Sequence, residues 1–387
     1  MKLIHTADWH LGKLVQGVYM TEDQRFALKQ LLAAIEEEKP DAVIIAGDLY
    51  DRAVPPTEAV ELLDELLERI VIGLGTPVLA VSGNHDSPDR LDFGTAMMKA
   101  QGLHIAGKLK KTPEPVVLHD RFGEVHFHLV PYADPAQARQ AYGDDAIRTH
   151  DDAMRETTQR ITRQMDTKAR HVLIGHAFVT PTGAAEPNTS DSERPLSIGG
   201  AEHVTADYFT PFHYTALGHL HQAHFVAREN IRYAGSPLKY SISEERHNKG
   251  FLIVELAEDG MVTVEKRELK PLRDMRRVVG MLEDIEKQAP SEDYVFVTLL
   301  DENPVMFPME KVRAVYPNAL HVERKPVRTI SSGETATVEA AGRREADPTA
   351  LFGAFYEEVK GMPLGEEQRK LFEETLEQLL KEEGGVA

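Results

Sequence analysis

The chain has 387 residues, 42% of them hydrophobic and 28% charged, enough for one large domain and one or two smaller ones. It contains no cysteine, which excludes disulfides, thiolate zinc sites and cysteine nucleophiles, and no run near the roughly 20 apolar residues that span a bilayer. A formal charge of −19, from 44 basic and 63 acidic side chains, excludes a protein that coats nucleic acid by bulk electrostatics, though not one with a local cationic site.

Met1 to Ile4 lead straight into an apolar strand pattern without a secretion signal, and the absence of cysteine fits a reducing compartment, so the expected location is cytoplasmic. The predicted elements then alternate. Lys2 to Thr6 reads as a strand, Phe26 to Glu38 as a helix, Ala42 to Ala46 as a strand, Pro56 to Ile70 as a helix and Pro77 to Val81 as a strand. This βαβαβ rhythm implies parallel strands covered by helices. Further strands are predicted over Val125 to Val130, His171 to Ile174, Tyr214 to Leu217, Ile231 to Tyr233, Gly250 to Glu255 and Val262 to Glu268. Their close spacing suggests a second, more antiparallel sheet. The expected fold is α/β, a two-sheet sandwich flanked by helices over residues 1–270.

Near Pro271 the pattern resets. Arg277 to Gln288, Tyr294 to Leu300, Met309 to Val315 and Ala319 to Glu323 read as helix, strand, helix, strand, a small α+β cap domain over 271–325. Residues 326–347 are polar and read as a linker. C-terminal helices follow over 348–383, and Leu371, Phe372, Leu376, Leu379 and Leu380 form an apolar stripe at helical spacing.

Five short motifs each follow an apolar run: Asp8-Trp9-His10, Gly47-Asp48, Gly83-Asn84-His85-Asp86, Gly175-His176 and Gly218-His219-Leu220-His221. In open α/β sheets the carboxyl ends of strands face the ligand crevice, so residues distant in sequence meet there. The set supplies two carboxylates (Asp8, Asp48), one amide oxygen (Asn84) and four imidazoles (His10, His176, His219, His221). Seven oxygen and nitrogen donors exceed the need of one tetrahedral ion. They suit two ions of the manganese, iron or zinc type, roughly 3.5–4 Å apart, with Asp48 the candidate bridge. Taken singly the motifs are weak, since a strand-end Asp is more often a turn residue. His126-x-His128 shares the spacing of His219-x-His221 but adjoins no glycine-bounded loop, and reads as an ordinary strand face.

The five motifs in this order resemble the calcineurin-like metallophosphoesterase superfamily. The text around them narrows the resemblance to the SbcD family of bacterial nuclease subunits: His5 to Gly12, Gly47 to Asp51, Ser82 to Ser87, Ser190 to Arg194 and Gly235 to Ser241. It covers Met1 to about Lys270. The resemblance implies one ion on Asp8, His10, Asp48 and His221 and a second on Asp48, Asn84, His176 and His219, most often manganese. It implies that His85 binds no metal and assists the leaving oxygen as the catalytic histidine. Asp51 stands where some archaeal and eukaryotic relatives carry a histidine.

The implied function is a DNA exonuclease and endonuclease in repair, recombination and replication. The implied partner is an SbcC-like ABC-type coiled-coil ATPase, with the chain a homodimer inside a heterotetramer, its C-terminal helices gripping the ATPase. No Gly-x-x-x-x-Gly-Lys-Ser/Thr loop is present, so any ATP requirement must come from that partner. Two rival classes remain: a cyclic-nucleotide or other small-molecule phosphodiesterase, which the metal motifs alone do not separate from a nuclease, and a non-catalytic scaffold, against which the full donor set and His85 argue.

Overall fold

The computed structural model describes residues 1–181, 189–193, 203–325, 349, 352, 353, 356 and 362–383. The strands that build the main sheets are β1 (Lys2–Thr6), β2 (Ala42–Ala46), β3 (Val78–Val81), β4 (Leu103–Ala106), β5 (Val116–Asp120), β6 (Gly123–Val130), β7 (Arg170–His176), β8 (Tyr214–Gly218), β9 (His224–Val226), β10 (Arg228–Tyr233), β11 (Gly250–Leu256) and β12 (Val262–Glu268). The first sheet has the order β12-β11-β1-β2-β3-β4 and the second β9-β10-β8-β7-β6-β5.

Strands β2 and β3 are apolar on both faces because both faces are covered, as parallel strands require. Alternate side chains feed different cores. Ile4, Val43 and Ile45 join Leu28, Leu31, Leu62 and Leu66 of the helices Thr21–Glu38 and Thr57–Leu67. Leu3, Ile44 and Val81 meet Phe127, Val172, Ile174 and Tyr214 of the second sheet. The outer face of that sheet, with Leu173 and Leu217, packs on Ile161 of the helix His150–Thr162 and on Phe209 and Phe212. The expected two-sheet sandwich flanked by helices is present.

Two expectations about the sheets need correction. The second sheet is antiparallel only at its edges, β5 with β6 and β9 with β10. Its central pairs, β6 with β7, β7 with β8 and β8 with β10, are parallel. The crossovers are long enough for this: two helices, Pro135–Tyr142 and His150–Thr162, lie between β6 and β7. Strands β11 and β12 do not extend the second sheet; β11 returns antiparallel beside β1.

The 271–325 region holds three parallel strands, β13 (Met275–Gly280), β14 (Tyr294–Leu299) and β15 (Ala319–Arg324), with short helices Leu282–Ile285 and Pro308–Arg313. The helix expected from Arg277 to Gln288 is instead the end of β13, up to Gly280, followed by one short helix, Leu282–Ile285. Buried Val278, Leu282 and Ile285 mimic helical spacing, and only pairing with β14 reveals the strand. Tyr294 Oη and Arg273 Nη1 both donate to buried Asp23 Oδ2 at 2.8 Å, tying this sheet to the first helix.

The chain divides into two compact units, 1–327 and 328–387. The linker expected over 326–347 and most of the helix expected over 348–360 lie outside the described residues. In the second unit the helix Glu366–Glu383 is present, Phe372 stacks on Phe352 at 4.0 Å between ring centroids, and Leu371 is exposed. Among the described residues no helix is long and apolar enough to cross a membrane.

Candidate metal centre

All five motifs lie at the carboxyl ends of strands. Asp8 and His10 follow β1, Asp48 follows β2, Asn84 and His85 follow β3, His176 ends β7, and His219 and His221 follow β8. The loops after β1 and β2 are laced together by backbone bonds from Asp8 N to Gly47 O (3.1 Å), His10 N to Asp48 O (2.9 Å) and Leu11 N to Leu49 O (2.9 Å). Gln24, from the first helix, braces the turn: its Nε2 donates to the carbonyls of Trp9 and His10, and its Oε1 accepts from Gly12 N–H.

The backbone here is under strain. Eight non-glycine residues have positive φ among those described, and Asp8, His10, Asp48 and His219 are four of them. Non-glycine residues rarely occupy that region, and strain of this kind collects at functional sites. Glycine is also required by proximity. A Cβ on Gly83 would stand 2.1 Å from Asp48 Oδ1 and 2.5 Å from its backbone N, and one on Gly47 2.2 Å from His176 Nδ1.

The donors converge. Ligand atoms of Asp8, His10 and His221 lie within 4.8 Å of one another, as do those of Asp8, Asp48 and His176. Asp48 Oδ2 sits between the two sets, 3.6 Å from His10 Nε2 and 3.5 Å from His176 Nε2. His176 Nε2 is 2.9 Å from Asn84 Oδ1. His219 is brought beside His176, ring centroids 5.4 Å apart, but belongs to neither compact set; its backbone N–H donates to Asp8 Oδ1. His85 stands at the rim, half-buried, with its ring edge-on to His10. His10, Asp51 and His85 form a third close group, and Asp51 is ion-paired with Lys13 at 2.7 Å.

Hydrogen positions follow from the partners. A backbone carbonyl only accepts, so His176 Nδ1 carries the hydrogen donated to Ala46 O at 2.9 Å, and His85 Nδ1 the one donated to Asp51 O at 2.8 Å. His221 Nδ1 faces Glu244 Oε1 at 3.1 Å and is likewise the donor. The Nε2 lone pairs of His176 and His221 are therefore left facing Asn84 Oδ1 and, at 3.1 Å, His10 Nε2. Asp8 Oδ2 and His10 Nδ1 are buried without a hydrogen-bond partner.

Burial pulls the pKa of His10 down to about 3 and depresses those of His176 and His219, so these rings are neutral bases. Burial and the charge of Asp48 push the Asp8 carboxyl up. Buried carboxylates, neutral imidazoles and a His176 lone pair set against an amide oxygen form an environment that fits divalent cations.

Sequence reasoning missed the supports behind these donors. Asp86 is legible only as part of a motif. Its buried carboxylate accepts from Leu49 N, Tyr50 N and Gly83 N at 2.9–3.1 Å, clasping the β2 and β3 loops together. Burial and Asp48 push its pKa up to about 7. Glu244, Lys249, Ser192 and Glu193 surround His221. Burial alone would raise the Glu244 carboxyl, but Lys249 and His221 hold it well below the ordinary range. Ser192 and Glu193 fall in the Ser190 to Arg194 text, which offered a signal, although Arg194 lies outside the described residues. Glu244 and Lys249 have no periodicity or motif to mark them.

A family described as calcineurin-like phosphoesterase matches residues 1–223, and one described as type 5 capsule protein repressor C-terminal domain matches residues 271–360. A curated relative, the SbcD subunit of the SbcCD nuclease of Staphylococcus epidermidis, is 33% identical over 388 residues, covering 99% of this chain and 100% of the relative. The chain belongs to the SbcD family of calcineurin-like phosphoesterases. Membership in the SbcD family makes it a phosphoester hydrolase that uses divalent metal ions. Similar solved structures include TT1561 of Thermus thermophilus (TM-score 0.39, 11% identity, 68% of this chain and 98% of that one) and a dimetal phosphatase from Danio rerio (TM-score 0.42, 11% identity, 69% and 96%).

Proposed function

We propose that this chain is a metal-dependent DNA nuclease, an exonuclease on duplex ends and an endonuclease on hairpin or single-stranded DNA, acting with an SbcC-like ABC-type ATPase in DNA repair, recombination and replication. The observation that carries this reading is the match to the curated SbcD nuclease subunit along both chains end to end. A small-molecule phosphodiesterase would share the metal motifs but has no need of the 271–360 match.

Asp8, His10, Asp48 and His221 would hold one ion, and Asp48, Asn84, His176 and His219 the other, with the central Asp48 carboxylate shared. The imidazole-rich shell favours manganese over magnesium, which prefers oxygen ligands. Bound divalent ions supply positive charge against the phosphodiester anion and acidify water at the site. The chain's own residues do the rest. Gly83 and Gly47 let the loops close on Asp48 and His176. His85 commits Nδ1–H to Asp51 O, so Nε2 carries the open lone pair; once Nε2 has taken up a proton from solvent, it can pass that proton to the leaving oxygen. Its half-exposed place at the rim suits contact with a substrate phosphate.

The remaining assignments concern assembly. Phe93, 79% exposed, Met97, 75% exposed, and Met98 follow His85 closely in sequence, and exposed apolar side chains there support a homodimer. The exposed Leu371 on Glu366–Glu383 supports docking of the C-terminal helices on the coiled-coil ATPase, completing a heterotetramer.

The test is cleavage of linear duplex and hairpin DNA by metal-stripped chain given manganese or magnesium, with and without its ATPase. Manganese should restore cleavage and magnesium should do so poorly. Turnover of cyclic nucleotides without DNA cleavage would overturn the reading, and equal turnover with magnesium would remove the manganese assignment. A chain ending at residue 347 should keep its metal but no longer co-purify with the ATPase; co-purification at full strength would remove the docking role.

A further inference from the structure

Two of the three histidines that the second sheet brings to the metal centre are held by different chemistry. His176 Nδ1 donates to a neutral acceptor, the Ala46 carbonyl, at 2.9 Å. His221 Nδ1 is backed by a carboxylate, Glu244 Oε1, at 3.1 Å, and Glu244 is wholly buried. Glu244 Oε2 is ion-paired at 2.5 Å with Lys249 Nζ. That ammonium, also buried, donates to His221 O and Ser236 Oγ, each at 2.8 Å. The segment 189–193 closes on the same histidine. Ser192 Oγ lies 2.8 Å from His221 Nδ1 and donates to Glu244, while Glu193 Oε1 accepts the His221 backbone N–H at 2.8 Å.

Stability does not explain this arrangement, because a well-packed apolar pair of similar volume is often as stabilising as a buried ion pair, or more so. Orientation does. A carboxylate behind an imidazole fixes the hydrogen on Nδ1, leaves Nε2 as the donor and raises its basicity. A carbonyl fixes the tautomer without contributing a full charge.

We propose that Glu244, anchored by Lys249, is a positioning residue for His221, and that it sets the affinity of one metal position while the other is independent of it. The proposal rests on the ligand assignment under Proposed function. It makes the two positions unequal by construction: the Asp8, His10 and His221 side is tuned by a charged support, and the Asn84 and His176 side is not.

The experiment is calorimetric titration of the full chain with Mn2+, followed by elemental analysis and electron paramagnetic resonance. The variants are Glu244→Gln, the double Glu244→Gln/Lys249→Met, and His221→Ala. The double variant removes both charges and so leaves no buried charge alone if the single variant folds poorly. Both Glu244 variants should still bind two ions at saturation, one with wild-type affinity and one about 10–100-fold more weakly. At intermediate Mn2+ they should show the signal of an isolated ion where wild type shows a coupled pair, and the double variant, which leaves no buried charge unpaired, should keep the wild-type unfolding midpoint in chelator. Two wild-type affinities in both variants would reduce Glu244 to a structural ion pair, and equal weakening of both ions would remove the selectivity; either overturns the proposal. His221→Ala that kept two wild-type affinities would instead overturn the ligand assignment, a failure visible without the Glu244 variants.

Discussion

Two clusters of histidines stand at opposite ends of the second sheet. At the carboxyl ends, His10, His176, His219 and His221 surround Asp8 and Asp48. At the other end, His126 and His128 of β6 meet His171 of β7 and His213. In the second cluster donors meet acceptors. His171 Nε2 donates to Asp166 O at 2.8 Å, which leaves its Nδ1 to accept from His128 Nε2 at 3.0 Å. The backbone N–H of His171 donates to His213 Nδ1 at 2.9 Å, and His126 pairs with Glu124. In the metal centre the His176 Nε2 lone pair faces the Asn84 amide oxygen, and Asp8 Oδ2 and His10 Nδ1 lack partners. Histidine number and His-x-His spacing are the same in both clusters. What separates a structural cluster from one built for cations is whether donors and acceptors already balance.

Three substitutions press on this contrast, and the largest effect is expected from Gly83→Ala. The new Cβ meets Asp48 at both its carboxylate and its backbone N, so neither a rotamer change nor a small shift relieves it. Metal and cleavage should both be lost, as elemental analysis and a DNA assay would show; a variant that keeps both would mean the close approach is not needed. Next comes His85→Gln, which should lower cleavage by about 10²–10⁴-fold while two ions stay bound. An emptied site in that variant would make His85 a ligand.

The smallest effect lies in the other cluster. Burial lowers the His128 pKa to about 3, whereas an unfolded histidine titrates near about 6.5. Between those values the unfolded chain binds the extra proton, so the stability contribution is complete above about pH 6.5 and is lost as pH falls toward 3. His128→Phe should reduce the loss of stability between pH 7.5 and pH 5 by about 2 kcal/mol, read from denaturant midpoints, with metal content unchanged. An acid limb identical to wild type would show that His128 is not buried as a neutral base.

Most of what positions the centre was legible because it is local. Apolar runs ending in Gly, Asp and His mark strand ends, and a sandwich that gathers strand ends in one crevice gathers Asp8, Asp48, Asn84 and His176 with them. Sheet direction was not legible: β11 and β12 resemble the preceding strands in sequence, yet β11 pairs with β1, a contact some 250 residues away. Spacing misled at 277–288, where buried residues three and four apart sit in a strand followed by a turn of helix. The carboxylates behind the centre, Asp86 and Glu244, escaped for a related reason: apart from Gly83 N, the groups they hold at the centre, the Leu49 and Tyr50 N–H groups and His221, lie more than 20 residues away, and no local pattern records such bonds.

The central claim, that unbalanced donors at the strand ends hold two divalent ions, is tested most directly by metal stoichiometry. Wild type and Asp48→Ala would be stripped, loaded with Mn2+, passed through gel filtration and analysed for metal per chain. Two ions in wild type and fewer than one in Asp48→Ala, with DNA cleavage reduced to background in the variant, is the predicted result. Two ions retained by Asp48→Ala, or none held by folded wild type, would contradict it.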